Sequence, residues 1–305
     1  MPEIAPVNWL RIALLGVIWG ASFMAVSVAL TGVGPLTVVA VRLSLGALFL
    51  LALSRAMGKR LPALQGPGAG RLWVFILAMA VFSNAVPFAL LSWGQQSVAS
   101  GFAGVCMAVV PLFVLPLAHV FVPGERMTLR RLTGFATGTA GVIILIGPGA
   151  LASTGAEFEV LAKLACVGAA GCYAVGGIFT RLSPETDRLS LAAAILLLAA
   201  VLFTPYALWA EGWPEEINLT ALAALLYLGI LPTGVAQIIL VNVIRDAGPS
   251  FLSLVNYQVP IWSVVFGAVL LSEMLPPSLF LGLAMILGGV ALSQLGALRR
   301  LFTGR

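Results

Sequence analysis

A lone arginine, Arg42, stands inside the apolar run "VVAVRLSLGALFLL", and two glutamates, Glu125 and Glu273, each stand between two such runs. A guanidinium in an apolar medium is costly unless it is paired, snorkels or binds carbonyls. The chemistry open to Arg42 is therefore binding of a substrate carboxylate or bonding to backbone carbonyls. Few polar side chains lie deep in the other runs: Ser83 and Asn84, then Thr233, Gln237 and Asn242, then Asn256, Tyr257 and Gln258. Such groups either line a cavity or bond neighbouring helices. Asn84, Gln237, Asn256 and Tyr257 are the candidates for cavity lining. Trp19, Phe23, Phe88, Met107 and Tyr173 supply apolar and aromatic walls. Bond-making chemistry lacks its residues. The single histidine, His119, sits near the end of a run, and none of the 11 Asp and Glu falls mid-run. An intramembrane hydrolase would need a Ser/His pair, paired carboxylates or a zinc set at depth. The three cysteines, Cys106, Cys166 and Cys172, have neither metal-ligand nor disulfide spacing. The expected protein is not an enzyme and uses no cofactor and no metal.

The elements that position these residues follow from composition. Of the 305 residues, 61% are hydrophobic and 9% charged, far from the balance of a soluble domain. Runs between Gly, Pro and charged breaks give about ten helices of roughly 20 residues. They are expected near residues 9–30, 35–53, 72–93, 98–121, 128–146, 160–180, 189–209, 219–244, 250–271 and 277–295. The fold class is all-α integral membrane protein. The first run is too long for the apolar core of a signal peptide and stays as a span. The net charge of +5 is carried in short loops, which points to a lipid surface and away from nucleic acid. Placed on this layout, all but two of the 16 Lys and Arg fall on the side of the N terminus. The exceptions are Arg42 and Lys163. By the positive-inside rule both termini are cytoplasmic, in a multi-pass protein of the plasma membrane.

The chain repeats itself. "VVPLFVLPLAHVFVPGERMTLRRLTGFATGTAGVIIL" and "QVPIWSVVFGAVLLSEMLPPSLFLGLAMILGGVAL" align Pro111 with Pro260, Glu125 with Glu273, Gly134 with Gly282 and Gly141 with Gly289. Residues 1–147 and 148–305 are read as two five-helix units, and an odd helix count inverts the second relative to the first. Inverted repeats carry alternating-access transport with a site near the midplane between the halves. Pro111 and Pro260 are expected to kink helices four and nine. Glu125 and Glu273 are expected at the positive ends of the helices that follow them, as caps or gates. Gly134, Gly141, Gly282, Gly288 and Gly289 would let helices five and ten pack closely.

With "IWGASF" (Ile18 to Phe23) in the first helix, Arg42 in the second and the duplicated Pro, Glu and glycine pattern, the whole chain resembles the EamA branch of the drug/metabolite transporter superfamily. The resemblance implies export of small metabolites, often amino acids, across the bacterial inner membrane. Helix six departs from the family pattern, with Tyr173 in "CYAVGG" where members often show a tryptophan.

The expected activity is secondary export of a small metabolite, with a bulky apolar or aromatic amino acid favoured over a sugar phosphate, which would need more buried cations. A multidrug exporter is the alternative, and a channel fits less well because no ring of like charge is present. No phosphate-binding glycine loop marks ATP as the driver. No mid-span carboxylate offers a proton carrier, so facilitated export by a monomer is expected.

Overall fold

A computed structural model describes residues 5–147, 157–247 and 249–303, and among these residues every regular element is helical. In chain order the helices are α1 (Pro6–Ala29), α2 (Pro35–Ala56), α3 (Ala69–Gly94), α4 (Ser100–Phe121), α5 (Leu129–Ile146), α6 (Glu157–Leu182), α7 (Arg188–Glu211), α8 (Leu219–Ala247), α9 (Val255–Leu270, preceded by the short turn Pro249–Leu252) and α10 (Pro277–Thr303). Nine of them are long and apolar enough to cross a membrane, and α9 is a shorter apolar helix. This is the ten-helix membrane architecture expected. Short connections alternate the helices between two faces. We call the face holding the start of α1 the basic face and the opposite one the acidic face.

Local chemistry sets the helix ends. Thr128, Asp187 and Asn218 cap α5, α7 and α8, their side-chain oxygens accepting from Arg131 N, Ser190 N and Ala221 N. Pro6 and Pro35 open α1 and α2, where a missing N–H costs nothing. Gly147 and Gly212 follow α5 and α7 with φ of 90° and 75°, conformations that favour glycine.

The helices pack as an inverted pair of units. α2 packs on α7, α4 on α9 and α5 on α10, each against its own counterpart. α1 lies against α8 and α9, as α6 lies against α3 and α4. The units are thus interlocked: α1 leaves the helices that follow it in sequence and seats itself among those of the second unit.

The α5–α10 seam is built on glycine. A Cβ on Gly134 would collide with Gly289 O, and one on Gly141 with Gly282 O; in reverse, one on Gly289 would meet Gly134 O and one on Gly282 would meet Gly141 O. Gly138, which the repeat did not single out, faces Leu112 and the Gly289 contact. Gly288 meets nothing and lies off the seam.

Two helices are interrupted at matching places. α3 contains a π-helical turn at Val81–Ala85 and α8 one at Leu231–Val235. In both, a side chain returns to the carbonyl five residues earlier: Asn84 Nδ2 donates to Met79 O at 3.2 Å, and Thr233 Oγ1 to Leu228 O at 2.8 Å. Pro232 explains the second, because it lacks the N–H that an α-helix would send to Leu228 O. Such π turns concentrate at functional sites. α4 tightens to a 3₁₀ turn at Met107–Val109, directly before Pro111. α9 begins with i→i+3 bonds, including Tyr257 N to Leu254 O at 3.2 Å, ahead of Pro260.

Candidate functional site

The π turn of α8 holds Arg42 in place. Thr233, occupied as a donor by Leu228 O, accepts from Arg42 Nε at 3.0 Å. The planar face of the guanidinium lies 3.8 Å from the centroid of the Phe88 ring, a cation–π contact that gains strength where water is excluded. Phe88 in turn meets Tyr173 edge-on, with centroids 6.5 Å apart. Among the described residues no carboxylate pairs with Arg42: the ion pairs are Arg11–Asp246, Lys59–Asp187, Arg131–Glu125, Lys163–Glu159 and Arg181–Glu125. A cation held by one hydrogen bond and one ring, at depth in the bundle, keeps its terminal nitrogens available.

Arg42 also lines a cavity of about 30 Å³. Phe23, Val26 and Ser22 line it from α1, Phe88, Leu91 and Ser92 from α3, and Tyr173 from α6, with Gln95 just past the end of α3. The cavity lies between the two units, because α1 belongs by packing to the second and α3 and α6 belong to the first. Its back is anchored by Trp19 Nε1 donating to Pro232 O at 3.1 Å and Tyr227 Oη donating to Ile18 O at 2.9 Å. Both bonds tie α1 to α8 and fix the π turn that carries Thr233.

Of the residues singled out from sequence, Phe23, Arg42, Phe88 and Tyr173 converge on this cavity. Trp19 stands behind it. Asn84 spends its amide on its own helix. Met107 is half-buried against the core that includes Phe23 and Ala108. Gln237 is half-buried on α8, Asn256 is exposed on α9, and Tyr257 Oη lies 3.4 Å from Gln294 Oε1. None of these last four borders the cavity. Ser22, Ser92 and Gln95 were missed. Gln95 reads in sequence as part of the turn "GQQSV", and nothing there distinguishes it from Gln96. In the fold Gln95 is 7% exposed while Gln96 lies at the surface.

Neither glutamate caps the backbone of the helix that follows it. Glu273 reaches across to the start of α4, accepting from Ser100 N at 2.7 Å and Gly101 N at 3.0 Å. Glu211 does the same at α2, accepting from Leu36 N, Thr37 N and Thr37 Oγ1 at 2.8–2.9 Å. Free N–H groups at a helix start and the dipole both favour a carboxylate. Glu125, on the basic face, instead binds Arg131 at 2.8 Å and Arg181 at 3.0 Å, while Thr128 caps α5. The hydrogen bond from Arg131 is the main cause that holds the Glu125 carboxyl below its ordinary value, opposed by partial burial and helped by Arg181.

The profile of the EamA-like transporter family matches residues 9–147 and 160–295. The chain belongs to the EamA-like transporter family. Its two matched stretches cover the two five-helix sets just described. This EamA chain is 27% identical over 285 residues to the uncharacterised inner membrane transporter YedA of Escherichia coli (strain K12), covering 92% of this chain and 89% of that one. It is 26% identical over 290 residues to a probable terminal-alkyne amino-acid exporter of Streptantibioticus cattleyicolor (strain ATCC 35852 / DSM 46488 / JCM 4925 / NBRC 14057 / NRRL 8057), covering 95% and 94%. A solved crystal structure superposes with a TM-score of 0.67 at 22% identity, over 96% of this chain and 99% of the other, a likeness of fold. The EamA chain is thus a multi-pass membrane protein of the drug/metabolite transporter superfamily.

Proposed function

We propose that the protein exports small metabolites, amino acids with bulky apolar or aromatic side chains foremost, across the bacterial inner membrane by alternating access. The observation that carries this reading is Arg42, a cation without a carboxylate partner among the described residues, held over Phe88 in an aromatic cavity between the units. A half-buried unpaired cation inside a membrane span is costly, and an entering carboxylate offsets that cost. Phe23, Phe88 and Tyr173 give an apolar side chain its contact surface, and Trp19 supports them. Asn84, Met107, Gln237, Asn256 and Tyr257 then belong to the path along which the substrate moves. Both termini face the cytoplasm, following the loop arginines, and one chain suffices.

The packing supports two bodies that rock against each other. α3, α4 and α6 form one cluster and α8, α9 and α1 the other, so the rocking units exchange α1 and α6 relative to the simple sequence halves. Pro111 and Pro260 bend the helices that meet between them. The gradient of the substrate drives export, because the chain places no carboxylate at mid-span to carry a proton. The test is counterflow in proteoliposomes with labelled phenylalanine, methionine, threonine and a sugar phosphate, without a pH gradient, for the native chain and Gln237→Ala. Saturable exchange of phenylalanine or methionine, impaired by Gln237→Ala, is the expected result. Exchange of the sugar phosphate alone, or uptake that requires a pH gradient, would contradict the proposal.

A further inference from the structure

One lining residue has an unspent donor. Gln95 is 7% exposed, its Oε1 accepts from Ser27 Oγ at 3.2 Å, and its buried Nε2 has no partner among the described residues. An amide N–H₂ left unbonded out of water is costly, so a native site that keeps one has a use for it. Gln95 shares its cavity with Arg42, whose Nε is taken by Thr233 and whose face is taken by Phe88. An arginine and a glutamine side chain therefore line one space of about 30 Å³. That is room for about two waters, at roughly 10–15 Å³ each, and so for the two oxygens of one carboxylate.

The lining is equally informative for the charge it omits. It contains no Asp or Glu among the described residues. The side-chain oxygens of its lining residues are those of Ser22, Ser92, Tyr173 and Gln95, and two of these are already engaged: Ser22 Oγ donates to Trp19 O at 2.6 Å, and Gln95 Oε1 accepts from Ser27 Oγ. An α-ammonium seated here would meet a guanidinium and no compensating anion.

We infer that Arg42 and Gln95 together bind the carboxylate of the substrate, and that the site selects aromatic or branched apolar carboxylic acids irrespective of an α-amino group. This inference rests on the reading of the Arg42 cavity as the substrate site. Arg42 supplies the charge and the bidentate fork, Gln95 the additional neutral donor, and the Phe23, Phe88 and Tyr173 rings the apolar body contact. The site thus accepts products of deamination or N-acylation alongside the amino acids themselves.

The test is ligand binding to the purified full chain in detergent, read by thermal shift and by intrinsic tryptophan fluorescence. The probes are phenylalanine, 3-phenylpropionate, N-acetylphenylalanine, phenylalaninamide and phenethylamine. The three carboxylates are expected to bind with affinities within about tenfold of one another, and the amide and the amine to leave the protein unshifted. Gln95→Leu should weaken all three carboxylates on the order of tenfold, the loss of one hydrogen bond to a charged group, whereas Gln96→Ala should leave them unchanged. Arg42→Lys should weaken them further and Arg42→Gln abolish binding. If Arg42→Gln fails to fold, Gln95→Leu alone decides. Binding of the amide or the amine as tight as that of phenylalanine, failure of 3-phenylpropionate to bind, or a Gln95→Leu protein with native affinity would each overturn the inference. Counterflow separates the two claims: amino-acid exchange that survives Gln95→Leu removes this inference and keeps the exporter, while carboxylate binding without exchange removes the exporter and keeps the site.

Discussion

The acidic and the basic faces both carry contacts between the two sequence halves, but by different chemistry. On the acidic face, Glu211 and Glu273 from the second unit each accept from two consecutive backbone N–H groups at the start of α2 and α4. On the basic face the contacts are side-chain ion pairs: Lys59–Asp187 at 2.7 Å joins α2 to α7, while Arg11–Asp246 at 2.7 Å and Arg181–Glu125 at 3.0 Å hold α1 to α8 and α6 to α4 within each packed cluster. A carboxylate on free helix N–H groups gains from fixed donors and from the dipole, up to ~2 kcal/mol when partly buried. Exposed ion pairs contribute about 0–1 kcal/mol and weaken in salt; the side chains here are 25–53% exposed. The packing agrees: the opening turns of α4 (Ser100–Cys106) seat on α9, while its later part (Val110–Phe121) turns to α6. The difference teaches that the described conformation is fastened at the acidic face and only loosely joined at the basic one.

The largest effect should come from Glu273→Ala, which leaves Ser100 N and Gly101 N without their acceptor. The melting temperature in detergent should fall by several degrees, corresponding to about 1–2 kcal/mol, and added salt should not restore it. Glu211→Ala should do the same at α2 with a smaller drop, because Glu211 is exposed. Absent drops for both would break the assignment of the acidic face as the fastened one.

Glu125→Gln should cost less than about 1 kcal/mol, and the difference from the native protein should vanish in high salt, as checked by melting at two ionic strengths. The pH response sharpens the contrast. Asp187 is held down to about 2, chiefly by the hydrogen bond from Lys59 and then by Ser190 N. A carboxylate with a depressed value in the fold contributes stability that is present above its ordinary value near 4 and lost as pH falls toward 2. The smallest effect is therefore a Lys59→Met/Asp187→Asn double-mutant coupling that is constant from pH 7 to 5 and disappears only near pH 2.

Much of this was legible in the sequence because its signals are strong in a membrane chain: ten apolar runs, one buried arginine and a duplicated motif. Arg42, Phe23, Phe88 and Tyr173 could be named because each is conspicuous by type and depth, and they do meet. Gln95 could not, since burial of one of two adjacent glutamines depends on how α3 ends against α1. Nor could the reach of Glu273. Local sequence places it ahead of α10, and only the tertiary arrangement puts α4's open N–H groups in front of it. The π turns were hidden for the same reason: Pro232 hints at a break, but Val81–Ala85 carries no proline.

The most direct test of alternating access about this asymmetry is a pair of spin-label distances in nanodiscs. One pair, Gln96→Cys with Met274→Cys, crosses the acidic face; the other, Val7→Cys with Arg126→Cys, crosses the basic face from α1 to the end of α4. Each is measured with and without Glu273→Gln. The account predicts that the substitution lengthens the acidic-face distance and shortens the basic-face distance in the same population. Distances that lengthen together, or an acidic face that stays unchanged, would contradict it.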